Sequence, residues 1–182
     1  MLQESHMRIS FLATVVLLTL TASAQTPPKL VPDVPYLPSP TAVVDAMLTL
    51  AGVTPADNVY DLGCGDGRIV IQAAKQYKAH GVGIDINPKR IQEARANALA
   101  ARVGPRVRFE QNDLFQADIH DASVVMLYLL PSVNLRLRPK LLRELKPGAR
   151  IVSHSFDMGD WKPEKELPIE DTVIYLWKVP AK

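Results

Sequence analysis

Residues 61–68 read Asp61-Leu62-Gly63-Cys64-Gly65-Asp66-Gly67-Arg68, and the apolar run that starts at Asn58 leads straight into them. A short strand that ends in a glycine-rich turn and then opens a helix is the first step of a doubly wound α/β sheet. Gly63, Gly65 and Gly67 let the backbone turn sharply and come close to a ligand. The helix that follows is expected to offer unpaired N–H groups at its start. The spacing is selective. A nicotinamide or flavin dinucleotide site takes G-x-G-x-x-G, but position 68 is Arg68 and the third glycine comes one place early. The G-x-x-x-x-G-K-[S/T] phosphate loop is absent as well. Asp61, at the strand end, would repel a pyrophosphate and attract an ammonium group.

Outward from this stretch the chain alternates with the rhythm of a mostly parallel sheet. The pattern predicts a helix from Arg68 to about Lys78, with Ile69, Val70, Ala73, Ala74 and Tyr77 inward. A strand follows over Gly81–Ile86. Asn87 and Pro88 then open a helix that runs to about Arg102. Strands are expected at Arg106–Gln111, at Ser123–Leu130 as a continuous apolar run, and at Ala149–Phe156. A helix over Asn134–Leu145 contains Pro139, which argues for a break or a late start. Lys165–Ile169 and Thr172–Val179 have no helix between them and read as a terminal antiparallel pair at the sheet edge. Upstream, Thr41–Leu50 carries a helical apolar stripe. The fold class is therefore a doubly wound, Rossmann-like sheet of seven strands.

The N-terminus divides into two segments. Arg8, the apolar run Ile9–Leu20 and the site Ala22-Ser23-Ala24 follow the plan of a secretory signal peptide over residues 1–24. This reading predicts a periplasmic or extracellular protein, or a membrane-associated one if the signal stays uncleaved. A run of twelve residues, nearly all apolar or small, is too short to span a bilayer, so the mature chain is expected to have no transmembrane span. Residues 25–40 hold six prolines and form an extended arm; residues 41–182 are the domain. The charge is nearly balanced, 21 basic against 19 acidic residues, which gives no case for a nucleic-acid partner. Cys64 is the only cysteine, so no internal disulfide is available. The chain is expected to be a monomer.

Ligands of open α/β sheets sit outside the carboxyl ends of the strands. Besides Asp61, the second strand ends at Asp85, placed to accept from both hydroxyls of a ribose, with Ile86 next to it. The third is followed by Asn112-Asp113-Leu114, where Asp113 can accept from an adenine amino group and Leu114 or Ile86 can pack on the ring. S-adenosylmethionine has the matching parts: an ammonium group and a sulfonium cation, a ribose and an adenine. No His, Cys or Asp grouping has the spacing of a metal site. His154 reads as a strand-end residue rather than a general base.

These residues resemble the class I S-adenosylmethionine-dependent methyltransferases from about Tyr36 to Lys178. The stretch 61–68 is specific for that superfamily, and Gly83-Ile84-Asp85-Ile86-Asn87-Pro88 reinforces it. Within it the chain is similar to small archaeal and mitochondrial-type protein-lysine methyltransferases. The similarity rests on Tyr36-Leu37-Pro38-Ser39-Pro40, Asp61 to Ile71, Leu127-Tyr128-Leu129-Leu130, Lys140 to Lys146, and Gly148 to Phe156 followed by Asp160-Trp161. It implies that the Tyr36 arm folds over the methionine end of the cofactor. Asp61, Gly63, Gly65, Asp85, Ile86, Asn112, Asp113 and Leu114 are the expected cofactor contacts. Tyr36, Tyr128 and Trp161 are the expected walls of the acceptor channel. After the fourth strand the chain has Leu127-Tyr128-Leu129-Leu130-Pro131 where enzymes that methylate base amines place an Asn or Asp followed by Pro-Pro and an aromatic residue, which disfavours a nucleic-acid base as acceptor. The expected reaction is methyl transfer to a protein lysine. A small-molecule acceptor, or a non-catalytic methyl-donor-binding module, stays open as an alternative.

Overall fold

The structure is a computed structural model and describes residues 37–181. Segment 1–24 and most of the arm, Tyr36 included, lie outside the described residues. The elements are helix α1 (Thr41–Leu50), β1 (Asn58–Leu62), α2 (Arg68–Tyr77), β2 (His80–Asp85), α3 (Pro88–Ala100), β3 (Val107–Gln111), β4 (Val124–Leu127), α4 (Pro131–Glu144), β5 (Arg150–His154), β6 (Lys165–Ile169) and β7 (Thr172–Lys178). The strands form one sheet in the order β3-β2-β1-β4-β5-β7-β6. The first five run parallel; β7 lies antiparallel between β5 and the edge strand β6. Order reverses between β1 and β4, which opens the crevice where such sheets bind ligands.

Burial on both faces explains the apolar β4. Val124 and Met126 pack with Val43, Met47 and Leu48 of α1 and Ile69 and Ala73 of α2. Val125 and Leu127 pack the other way, against Val133, Leu137 and Leu141 of α4 and against Trp177. All four strand residues are fully buried. Helix α3 adds Ile91, Ala94 and Ala98 to a third cluster with Phe109 and Val70.

Two expectations change. The fourth strand stops at Leu127, and Tyr128-Leu129-Leu130 leave the sheet to reach Pro131 in the first turn of α4. The apolar run signals burial, not pairing: Leu129 is in the core although it is outside the strand. A residue before proline is also held out of the helical region, so Leu130 stays extended. The fourth helix starts at Pro131 and passes through Pro139 unbroken. Pro139 and Leu135, whose carbonyl would have accepted the missing bond, are both exposed, so water can serve that carbonyl.

Candidate functional site

A cavity of about 390 Å³ opens at the carboxyl ends of β1, β2 and β4, within the size range of small-molecule sites. Asp61, Gly63 and Gly65 line it from the first strand and its turn, and Asp85 and Ile86 from the second. Asn112, Asp113 and Leu114 come in after β3, and Tyr128 and Leu129 after β4. Leu37, Pro38 and Ser39 close it from the arm. The sheet thus gathers the expected cofactor residues around a single space. Tyr36 lies outside the described residues. Trp161 does not line the cavity; its ring sits 6.1 Å from that of Trp177, and its carbonyl accepts from the Trp177 indole at 2.7 Å.

The turn after β1 is tightly bonded. Gly63 and Cys64 donate to the Ile84 carbonyl, at 2.8 and 2.9 Å, and Gly67 donates to the Cys64 carbonyl at 2.8 Å. Gly65 donates to Asp85 Oδ2 at 2.9 Å. Arg68 N–H, at the start of α2, is taken by Asp66 Oδ1 at 3.2 Å. The expectation of free N–H groups there is therefore corrected for Arg68: the side chain of Asp66 fills the place of an external anion. Gly67 caps the helix at φ +80, and a Cβ there would meet Phe109 at 2.6 Å.

The resulting electrostatics favour a cation. Asp61 is 3% exposed, and no hydrogen bond reaches its carboxylate among the described residues. Burial first, then the nearby Asp85 and Asp66, pushes its pKa up to about 8. A ligand with an ammonium group and a sulfonium relieves that cost; a phosphate worsens it. Asp85 is arranged differently. Oδ2 accepts from Gly65 and Oδ1 from Asn87 N–H at 2.8 Å, so each oxygen keeps a lone pair for a ribose hydroxyl. Asp113 is held by Phe115 N–H on Oδ1 at 2.9 Å. A Cβ on Gly63 would meet Leu129 at 3.0 Å, so a residue with a side chain would crowd the floor of the cavity. The donor set fits S-adenosylmethionine. Burial, with Asp61 and Asp85 next in effect, pushes the Cys64 thiol far up, which leaves it inert as a nucleophile.

Sequence reasoning passed over several wall residues. Arg68 is more than a break in a glycine pattern: its guanidinium forks onto Asp66 and donates to the Ser39 carbonyl at 2.9 Å, which ties the arm to α2. Ser39, Asp66 and Arg90 also line the cavity. Of these only Ser39 had a signal, its place in the proline-flanked arm.

The topology and the three strand-end acids define a class I S-adenosylmethionine-dependent methyltransferase. The ANTKMT methyltransferase domain matches residues 61–165, and the chain belongs to that family. It is 49% identical over 142 residues to a protein-lysine N-methyltransferase of Saccharolobus islandicus, covering 78% of this chain and 88% of that one. It is 36% identical over 131 residues to the adenine nucleotide translocase lysine N-methyltransferase of Mus musculus, covering 72% of this chain and 57% of the mouse protein. The chain thus spans little more than half the length of that mammalian relative. A solved structure of an RNA methyltransferase from Salinibacter ruber with S-adenosyl-L-homocysteine superposes with a TM-score of 0.80 at 53% identity, covering 80% of this chain and 95% of that one.

The expected export is overturned by this kinship. The chain's matched relatives are lysine N-methyltransferases, one of an archaeon and one of the mouse, and neither name is that of a secreted or periplasmic protein. The physical reason agrees: the methyl donor is made in the cytosol. The apolar stretch Ile9–Leu20 therefore does not place this chain outside the cell. Among the described residues, no helix is long and apolar enough to cross a membrane.

Proposed function

We propose that this methyltransferase acts on the side-chain amine of a protein lysine. The observation that carries the reading is the 49% identity with an archaeal protein-lysine N-methyltransferase over 88% of that protein. The cofactor supplies an activated methyl group on its sulfonium. The chain supplies position and a dry wall. Asp61 pairs with the ammonium of the methionine end, Asp85 accepts from both ribose hydroxyls, and Asp113 accepts from the adenine amino group. Ile86 and Leu114 flank the ring, Asn112 steadies the loop beneath it, and Gly63 and Gly65 allow close approach. A lysine amine is only ~0.04% neutral at pH ~7. Leu37, Pro38, Leu129 and the ring of Tyr128 form an apolar and aromatic edge that favours the uncharged, nucleophilic amine. In this reading Tyr36 is a wall residue of the channel, whereas Trp161, which does not line the cavity, is not.

One finding favours a second acceptor, RNA: the relative solved at 53% identity is described as an RNA methyltransferase. Incubating the full chain with methyl-tritiated S-adenosylmethionine and separated protein and RNA fractions of a cell extract distinguishes the two. A labelled protein band that hydrolyses to methyl-lysine is expected. Label in RNA alone overturns the lysine reading.

A further inference from the structure

Strand β5 ends at His154, a buried residue outside the cofactor pattern. Its Nδ1 lies 2.9 Å from Ser39 Oγ, across 115 residues of sequence. Ser39 is itself only 3% exposed, and its carbonyl is the one that Arg68 holds. A single arm residue is thus tied to the first residue of α2 on one side and to the last residue of β5 on the other. The ring of His154 also backs Tyr128, with centroids 3.9 Å apart and planes inclined by 30°. Phe156 lies on Tyr128 as well, at 6.4 Å. Ser39 and Tyr128 line the cavity, whereas His154 does not.

The direction of His154 is fixed from below. Ser155, the next residue, has φ 67, a left-handed conformation that costs a non-glycine residue energy. Its N–H donates to the Val173 carbonyl at 2.9 Å, and its hydroxyl lies 2.7 Å from that of Thr172. The strand end is pinned to β7 just where the chain must turn. Burial pushes the pKa of His154 down, so the ring is neutral at physiological pH and bonds Ser39 without a charge to solvate.

We propose that Ser39 and His154 are positioning residues for methyl transfer: their hydrogen bond latches the arm onto β5 and holds the Tyr128 ring at the acceptor side of the cavity. The proposal rests on the reading above, in which Tyr128 walls the acceptor amine. Small displacements of such a wall cost rate more than binding, because transfer needs a near-attack geometry.

Three variants test it in the full chain: Ser39→Ala, His154→Phe, which keeps a ring but has no nitrogen, and the double variant. Each is expected to lower kcat about tenfold or more while the Kd for S-adenosyl-L-homocysteine stays within about twofold, and the double variant is no slower than either single one. His154→Asn, whose amide oxygen takes the place of Nδ1, recovers part of the loss in kcat. Amide exchange at Val44, whose N–H donates at 3.0 Å to the carbonyl of Pro40 next to Ser39, is expected to quicken in Ser39→Ala with the cofactor product bound. Wild-type kcat in both single variants, or losses that multiply in the double variant, would overturn the latch. If the wild-type chain labels no lysine, the acceptor reading fails instead; exchange then decides the latch alone, and unchanged exchange in Ser39→Ala sinks it.

Discussion

The buried carboxyl of Asp61 makes cofactor binding depend on pH in a way that can be worked out in advance. In the free protein Asp61 holds its proton up to about pH 8, because burial and the neighbouring Asp85 and Asp66 oppose the charge. A complex in which it pairs with the ligand's ammonium needs the carboxylate. The ligand's ammonium stands beside its own carboxylate and stays charged through this range, so Asp61 alone sets the dependence. Its ionised fraction is roughly 0.01 at pH ~6 and roughly 0.5 at pH ~8. Affinity for S-adenosyl-L-homocysteine should rise about fiftyfold between those values, close to ~2 kcal/mol. Near pH ~7 binding should release about 0.9 proton, read from calorimetric heats in buffers of different ionisation enthalpy. Asp61→Asn should remove the rise, so that affinity stays within about twofold from pH ~6 to ~8. Wild-type affinity that is flat between those two values, with no proton release, would refute the pairing of Asp61 with the ammonium.

The same group tilts stability. Unfolded, Asp61 loses its proton near 3.8; folded and without ligand, it keeps it to about 8, so its contribution is full below the first value and is lost as pH rises to the second. Thermal melts of Asp61→Asn should show a flatter decline across that window than the wild type. Asp57 has the opposite sign. Burial alone would raise its pKa, but Ser123, the backbone and hydroxyl of Thr54, and Arg150 together hold it below the usual carboxylate value, so its contribution fades as pH falls through that lowered pKa. Asp57→Ala removes the carboxylate that Arg150, Ser123 and Thr54 share, while Arg150 keeps the Ala51 and Gly52 carbonyls, and is expected to cost about 2 kcal/mol in denaturant titrations. Asp85→Ala should weaken cofactor-product binding by about 2–3 kcal/mol in calorimetry, because it also frees the Gly65 and Asn87 N–H groups. Gly83→Ala would drive a methyl group to within 2.6 Å of Phe109 and 2.8 Å of Cys64 Sγ; a loss of about 1–3 kcal/mol in unfolding free energy is expected.

Most of the fold could be read from the sequence because its signals are local. Strand, glycine turn and helix follow each other within 20 residues in 58–77, and the observed bounds of β1 and α2 depart from the expected ones by at most one residue. The errors fall where apolar residues are buried for reasons other than pairing. Tyr128 to Leu130 carry the composition of a strand, yet a proline and a helix start pull them off the sheet. Pro139 looks like a breaker in one dimension, but it is harmless where the freed carbonyl faces water.

The site was legible in one half and not in the other, and the difference is physical. Asp61 and Asp85 sit at the carboxyl ends of β1 and β2, and Asp113 comes two residues after β3, so position relative to the strands alone predicts that the sheet gathers them. Ser39, Arg68 and His154 come from the arm, the α2 start and the β5 end, and their contacts span 29 and 115 residues. No local pattern encodes a bond of that reach. It exists only because the order reversal between β1 and β4 brings the two halves of the sheet to the same crevice. The cofactor half is written in periodic positions that any sheet of this winding must supply. The acceptor half depends on tertiary closure of the arm, and this is where one member of such a family can differ from the next while keeping the same turn at 61–68.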